Sequence, residues 1–184
     1  NTTGFDNTAV GYQAGYSNVD SAYNTFLGDH AGYNNTSTKN TYLGHASGEA
    51  MTTGSRNTIL GRFNGNQGGL DIRTSSNNIV LSDGDGNPRQ WINSSGDVLI
   101  AGTNTIPGVG NTGTGHALLN DGRYFASKSG NTVMSLNRNT NDGNILEFRR
   151  EGSTKGSISI SGSSTSYNTS SDYRLKENLV DLTG

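Results

Sequence analysis

Four times in its first 65 residues the chain spells N-T-x-[VL]-G-x-x-[ASN]-G: at Asn7–Gly15, Asn24–Gly32, Asn40–Gly48 and Asn57–Gly65. The copies begin 17, 16 and 17 residues apart, and a weaker fifth starts at Asn77-Asn78-Ile79-Val80-Leu81. A period this short has no room for a helical repeat. At ~3.3 Å per extended residue it supplies two short strands and two tight turns, which is one coil of a β-solenoid. Strand alternation then sorts the motif. Val10, Leu27, Leu43 and Leu60 stack on one face, with Ala9, Phe26, Tyr42 and Ile59 on the other. The leading Asn and the two Gly suit corners, and a stacked Asn can hydrogen-bond the next coil to form a ladder. A coil with one apolar residue per face is too thin to cover both stripes. Three chains around one axis could cover them, so the repeat predicts a homotrimer.

Composition agrees with a thin, turn-rich β structure. Only 29% of the 184 residues are hydrophobic and 27 are glycine, so a monomer with a thick core is excluded. Two prolines and 15% charged residues do not match the composition of disordered chains. The absence of cysteine removes disulfides and thiolate metal sites. Thirteen scattered Lys and Arg in a chain of net charge −2 give no nucleic-acid footprint, and no apolar run approaches the ~20 residues that cross a bilayer. The chain begins at Asn1 rather than Met, which reads as a fragment or processed piece.

Beyond residue 76 the pattern changes. Residues 77–102 read as a β-hairpin module: Ile79–Ser82, a turn at Asp83–Pro88, Arg89–Ile92, a turn at Asn93–Asp97, then Val98–Ala101. Residues 103–122 read as a linker or irregular winding. From 123 to 170, strands are expected at Tyr124–Ala126, Val133–Leu136, Ile145–Phe148 and Ser157–Ile160, joined by Asp-Gly and Ser-Gly turns. Arg174–Leu182 is the one helix-like segment, with Leu175, Leu179 and Leu182 on one face and Ser171 or Asp172 placed to cap it.

Two resemblances follow. The N-terminal repeat resembles the head repeats of trimeric autotransporter adhesins, whose coils open on an Asn-led motif ending in Gly; the register differs, so the likeness is architectural and covers residues 1 to about 70. At the other end, Ser170-Ser171-Asp172-Tyr173-Arg174-Leu175-Lys176-Glu177-Asn178 resembles the opening of the self-cleaving intramolecular chaperones of bacteriophage tail fibres and tailspikes, endosialidases included. That resemblance covers roughly residues 123–184 and implies a hairpin-rich trimeric β stem (123–170) and the helical start of a chaperone domain (171–184); with the solenoid or β-roll repeats (1–76) read from the motif, the expected fold is an all-β trimer. The resemblance also implies Ser171 as nucleophile, Lys176 as its base, and the Ser171–Asp172 bond as the one cut. A serine hydroxyl needs such a base, and a lysine desolvated at a trimer interface could serve. The family's chaperone runs on for about a hundred residues, whereas this chain stops at Gly184. The same residues also read as a helix cap beside a solvated lysine.

Other candidates are weaker. Asp83-x-Asp85-x-Asn87 imitates the start of a calcium loop but has Pro88 where Gly is needed and Ser94 where the bidentate Glu belongs. His30 and His45 sit at different offsets in successive coils, which argues against a stacked ligand pair. No nucleotide loop, metalloprotease helix or nucleophile elbow is present, and no cofactor or metal is expected. Tyr12, Tyr16, Tyr23, Tyr33 and Tyr42 could stack on sugars or on each other. The functional expectation is a structural and host-recognition segment of a trimeric phage tail fibre or tailspike, extracellular on the virion. Its partners would be its own copies, other tail proteins and a host surface glycan or protein. The alternatives are a bacterial trimeric adhesin and a surface-glycan depolymerase.

Overall fold

The structure, a computed structural model, describes residues 2–111 and 113–169. It is all-β, with a single 3-10 turn at Val109–Asn111 and no α-helix among those residues. The chain divides into two units that meet at residues 133 and 134.

The first unit is a solenoid of four stacked coils. Strands β1 (Thr8–Val10), β2 (Thr25–Leu27), β3 (Thr41–Leu43) and β4 (Thr58–Leu60) pair parallel and in register, Thr on Thr and Leu on Leu from β2 onward. A two-stranded insertion, β5 (Asn66–Gln67) and β6 (Leu70–Asp71), precedes β7 (Ile79–Ser82), which adds to β4 in parallel as the weaker fifth copy foresaw.

The motif asparagines hold the coils in step. The backbone N–H groups of Asn24, Asn40, Asn57 and Asn78 each donate to the Oδ1 of the preceding rung at 2.9 Å, starting from Asn7. Each rung's amide group also donates to a backbone carbonyl, of Ser21, Ser37, Gly54 and Ser75 for Asn7, Asn24, Asn40 and Asn57. From Asn24 onward these amides lie buried yet satisfied, as an interior polar row must be.

Both motif glycines are required, for different reasons. A Cβ on Gly11, Gly28 or Gly44 would lie 2.3 Å from the carbonyl oxygen of the equivalent glycine one coil on. A Cβ on Gly32 or Gly48 would enter the ring of Phe26 or Tyr42 at 2.5 Å. The residue before each ladder asparagine is also left-handed: Asp6, Tyr23, Lys39, Arg56 and Asn77 have φ of 53, 61, 62, 58 and 62°. Only one of the five is an Asn, so ladder geometry overrides local preference there.

Inside the coils Phe26, Tyr42, Ile59 and Val80 form one fully buried row, with the Phe26 and Tyr42 ring centroids 5.4 Å apart. Met51, Phe63, Leu70 and Ile72 close the opposite wall. Of the two stripes that one coil was expected to be too thin to cover together, the chain covers the Phe26 row unaided, using apolar residues at positions the motif leaves open or that lie beyond it, and leaves the Leu27 row exposed.

From β7 the same sheet turns antiparallel. Strands β8 (Pro88–Ile92), β9 (Val98–Ile100), β10 (Gly115–Leu118) and β11 (Tyr124–Ser127) follow in order, giving nine strands in one sheet. Strand β10 lies within the stretch expected as linker, and β11 at the start of the expected stem. Three hairpins here share one turn, with a left-handed Gly86, Gly96 or Gly122 (φ 89, 89 and 88°) before the returning strand. Val80, Trp91, Leu99, Ala117 and Phe125 extend the inner row. Trp91 also terminates the asparagine ladder, its indole Nε1–H donating to Asn78 Oδ1 at 3.0 Å.

The second unit contains one antiparallel sheet, β12 (Gly143–Arg150), β13 (Ser153–Ser161) and β14 (Ser164–Thr169). Leu146, Ile158 and Tyr167 align across one face beside Phe148, while Glu147, Ser157 and Asn168 align across the other. Strand β14 was not anticipated, and Val133–Leu136, expected as a strand, is irregular. The expected helix at Arg174–Leu182 lies outside the described residues.

Candidate functional site

Ser171, Asp172 and Lys176, the residues implied by the chaperone resemblance, lie outside the described residues. The described chain ends on β14 at Thr169.

The calcium-like loop is a hairpin turn organised around one carboxylate. Asp83 accepts from the backbone N–H groups of Asp85 and Asn87, from the Asn87 side chain and from the Arg89 guanidinium. Those donors, Asn87 foremost, hold the Asp83 carboxyl well below the usual carboxylate range. Arg89 supplies the positive charge that a cation would bring. The two histidines are brought together despite their different offsets: His30 Nδ1 lies 2.6 Å and His45 Nε2 3.5 Å from Asp29 Oδ1. Arg62 Nε in turn donates to His45 Nδ1 at 3.2 Å, which places a cation on that side of the pair. Among the described residues no His, Asp and Glu group has metal-holding geometry.

Three of the described carboxylates are held by arginines close in sequence. Asp71, Asp121 and Glu147 each pair with an Arg two residues on, at 2.8, 2.7 and 2.6 Å. Hydrogen bonds from Arg73, Arg123 and Arg149 hold these three carboxyls below their ordinary values. A glycosidase requires one carboxylic acid shifted the other way. The depression beside Asp71, lined by Ala50, Thr52, Arg73 and Thr74, has a volume of about 330 Å³. Tyr16 and Tyr33 stack with ring centroids 5.1 Å apart, and Tyr12 and Tyr33 each lie 5.4 Å from His30, so these aromatics pack on neighbours along the coils.

The feature that sequence reasoning caught only in part is the outward face of the nine-stranded sheet. One row runs Thr8, Thr25, Thr41 and Thr58, then Ile79, Ile92, Val98 and Leu118. Beside it stand Val10, Leu27, Leu43 and Leu60, then Leu81, Gln90, Ile100 and His116. Val10, Leu27, Leu43 and Leu118 leave 56, 44, 43 and 48% of their surface uncovered. The motif revealed the first half of this face. The second half depends on strand pairings that no repeat announces. No family model, curated protein or solved structure matches this chain.

Proposed function

We propose that this chain is a structural and host-recognition segment of a homotrimeric bacteriophage tail fibre or tailspike. The observation that carries the reading is the single sheet that continues from stacked coils into a meander, an extended element with one face left apolar. The amphipathic β12–β14 sheet supports it, since Leu146, Phe148 and Tyr167 on its apolar face are 38, 54 and 77% exposed and free to meet partners. The S-D-Y-R-L-K-E-N spelling at Ser171–Asn178 favours phage over the bacterial adhesin alternative. The Arg-paired carboxylates weigh against a depolymerase.

Two measurements test this. Sedimentation should give a species of three times the 19.3 kDa chain mass. In a form extended through a full chaperone domain, mass spectrometry should find a mature C-terminus at Ser171, and Ser171→Ala or Lys176→Ala should leave the chain uncut but assembled. A folded monomer defeats the trimeric fibre. Cutting elsewhere, or in Ser171→Ala, defeats the dyad.

A further inference from the structure

We infer that the outward face of the nine-stranded sheet is the surface on which two further copies of this chain pack, parallel and in register from β1 to β11. This rests on the trimeric reading above and specifies which face carries it.

The first argument is chemical. The two outward rows contain no Asp, Glu, Lys or Arg across all nine strands, although both ends of the strands carry charged turns. A uniformly uncharged, largely aliphatic strip of this length is unusual on a surface that meets only water. The second argument is area. With residues such as Leu27, Leu43, Leu60, Leu81, Ile100 and Leu118 each about two-fifths exposed, a further ~80 Å² apiece is available for burial. Over the whole face that approaches the ~800 Å² that one chain gives up in a stable two-body interface; shared between two neighbours it leaves about half of that at each contact, so the three contacts must form together.

The third argument fixes the occupant and its direction. Strand spacing along the sheet is identical in every copy, so parallel copies meet rung against equivalent rung. In that arrangement Gln90 and His116, the polar residues of the aliphatic row, meet their own counterparts. An opposite orientation sets them against leucines and leaves their polar atoms without partners, which burial penalises. His116 Nδ1 already pairs with the Tyr124 hydroxyl at 2.8 Å, so its Nε2 is the atom left to face a neighbour. Each three-residue strand presents two outward rows ~7 Å apart. Threefold closure turns one row toward each neighbour, whereas a face-to-face pair would use both rows on one partner.

The chain contains no cysteine, so single thiols can be placed at will. Leu43→Cys and Leu118→Cys sit at two distant levels of the face, and Thr53→Cys lies on an exposed turn of the coils. Treatment of each variant with a short bis-maleimide should convert the first two to covalent dimers within a species that still sediments as a trimer, and should leave Thr53→Cys uncoupled. Leu43→Asp, a buried charge at the proposed interface, should yield folded monomers with an unchanged β circular-dichroism spectrum. A trimer that crosslinks at neither face position, or equally at Thr53, overturns the interface while leaving the trimeric reading intact. A parent protein that sediments as a monomer or dimer overturns both.

Discussion

Asn40 sits at the centre of the asparagine ladder, and its replacement tests whether the ladder or the apolar row sets the stability of the coils. The residue is fully buried. Its Oδ1 accepts from the Asn57 backbone N–H at 2.9 Å, and its amide donates to Asn35 Oδ1 and to the Gly54 carbonyl, both at 3.0 Å. Truncation to Ala leaves three buried groups without partners. At ~1–3 kcal/mol for each such group, and allowing for partial relaxation, Asn40→Ala should cost ~3–6 kcal/mol per chain. Asn34, exposed and making one bond to the Glu49 carbonyl at 2.9 Å, is the control; Asn34→Ala should cost ~1 kcal/mol or less. Asn40→Asp keeps the acceptor but aims a carboxylate at two oxygens. Burial and those oxygens raise its folded-state pKa above the unfolded ~3.9. The sign follows: the variant is most stable, relative to wild type, below ~pH 3.9, and loses ground as pH rises through the folded-state value. Urea unfolding at fixed chain concentration, read from the fluorescence of the single tryptophan, is the assay, because Trp91 is bonded to the last rung. An Asn40→Ala variant within ~1 kcal/mol of the Asn34→Ala control would refute the ladder as a structural determinant.

Gly44→Ala should abolish soluble folding, because its Cβ meets the Gly61 carbonyl oxygen at 2.3 Å and neither backbone can yield; Gly84→Ala, with open space around it, should remain soluble and folded by circular dichroism. Tyr42→Phe should raise the thermal midpoint, since the Tyr42 hydroxyl is buried without a hydrogen-bond partner, a state costing ~1–3 kcal/mol. Burial pushes that hydroxyl's ionisation far up, and a lower midpoint for the Phe variant would show instead that the neighbouring Asn57 side chain satisfies it. At Arg56, exposed with φ of 58°, midpoints should rank Gly at or above Arg and Arg above Val, because a β-branched residue tolerates the left-handed region least; Val ranking above Arg would contradict the backbone geometry.

What was legible in the sequence was what repeats. The coil period, the alternation of Phe26 against Leu27 and the asparagine ladder all follow from identical residues at identical offsets. The wall that buries Phe26 and Tyr42 was not legible, because Met51, Phe63, Leu70 and Ile72 occupy turns and an insertion with no common spacing. The left-handed column was hidden for a similar reason: Tyr23, Lys39 and Arg56 carry none of the residue preference that marks such positions. The passage into β8–β11 was hard to see because parallel and antiparallel strands share the same alternation, so sequence could identify strands without saying that they join one sheet. Strand β14 is built of Ser, Thr, Tyr and Asn, and gives no apolar signal at all. The proposed cleavage residues are a case apart, since they were drawn from a spelling and not from a pattern of burial.

Each coil also separates the positions that build it from those that face outward freely. The ladder asparagine is fixed by buried hydrogen bonds, the first glycine by the carbonyl of the next coil, the second glycine by an aromatic ring, and the strand centre by the core. The position after the first glycine obeys none of these constraints. There, four successive coils carry Tyr12, Asp29, His45 and Arg62, an aromatic ring, a carboxylate, an imidazole and a guanidinium stacked at one corner. A backbone that accepts four such different side chains at one site imposes no chemistry of its own on that corner. With the outward sheet face occupied by neighbouring copies, as proposed above, these corner columns are where the coils can display varied contacts without disturbing a single rung. On the host-recognition reading proposed above, the coils would supply spacing and these corners the varied chemistry that a receptor would read.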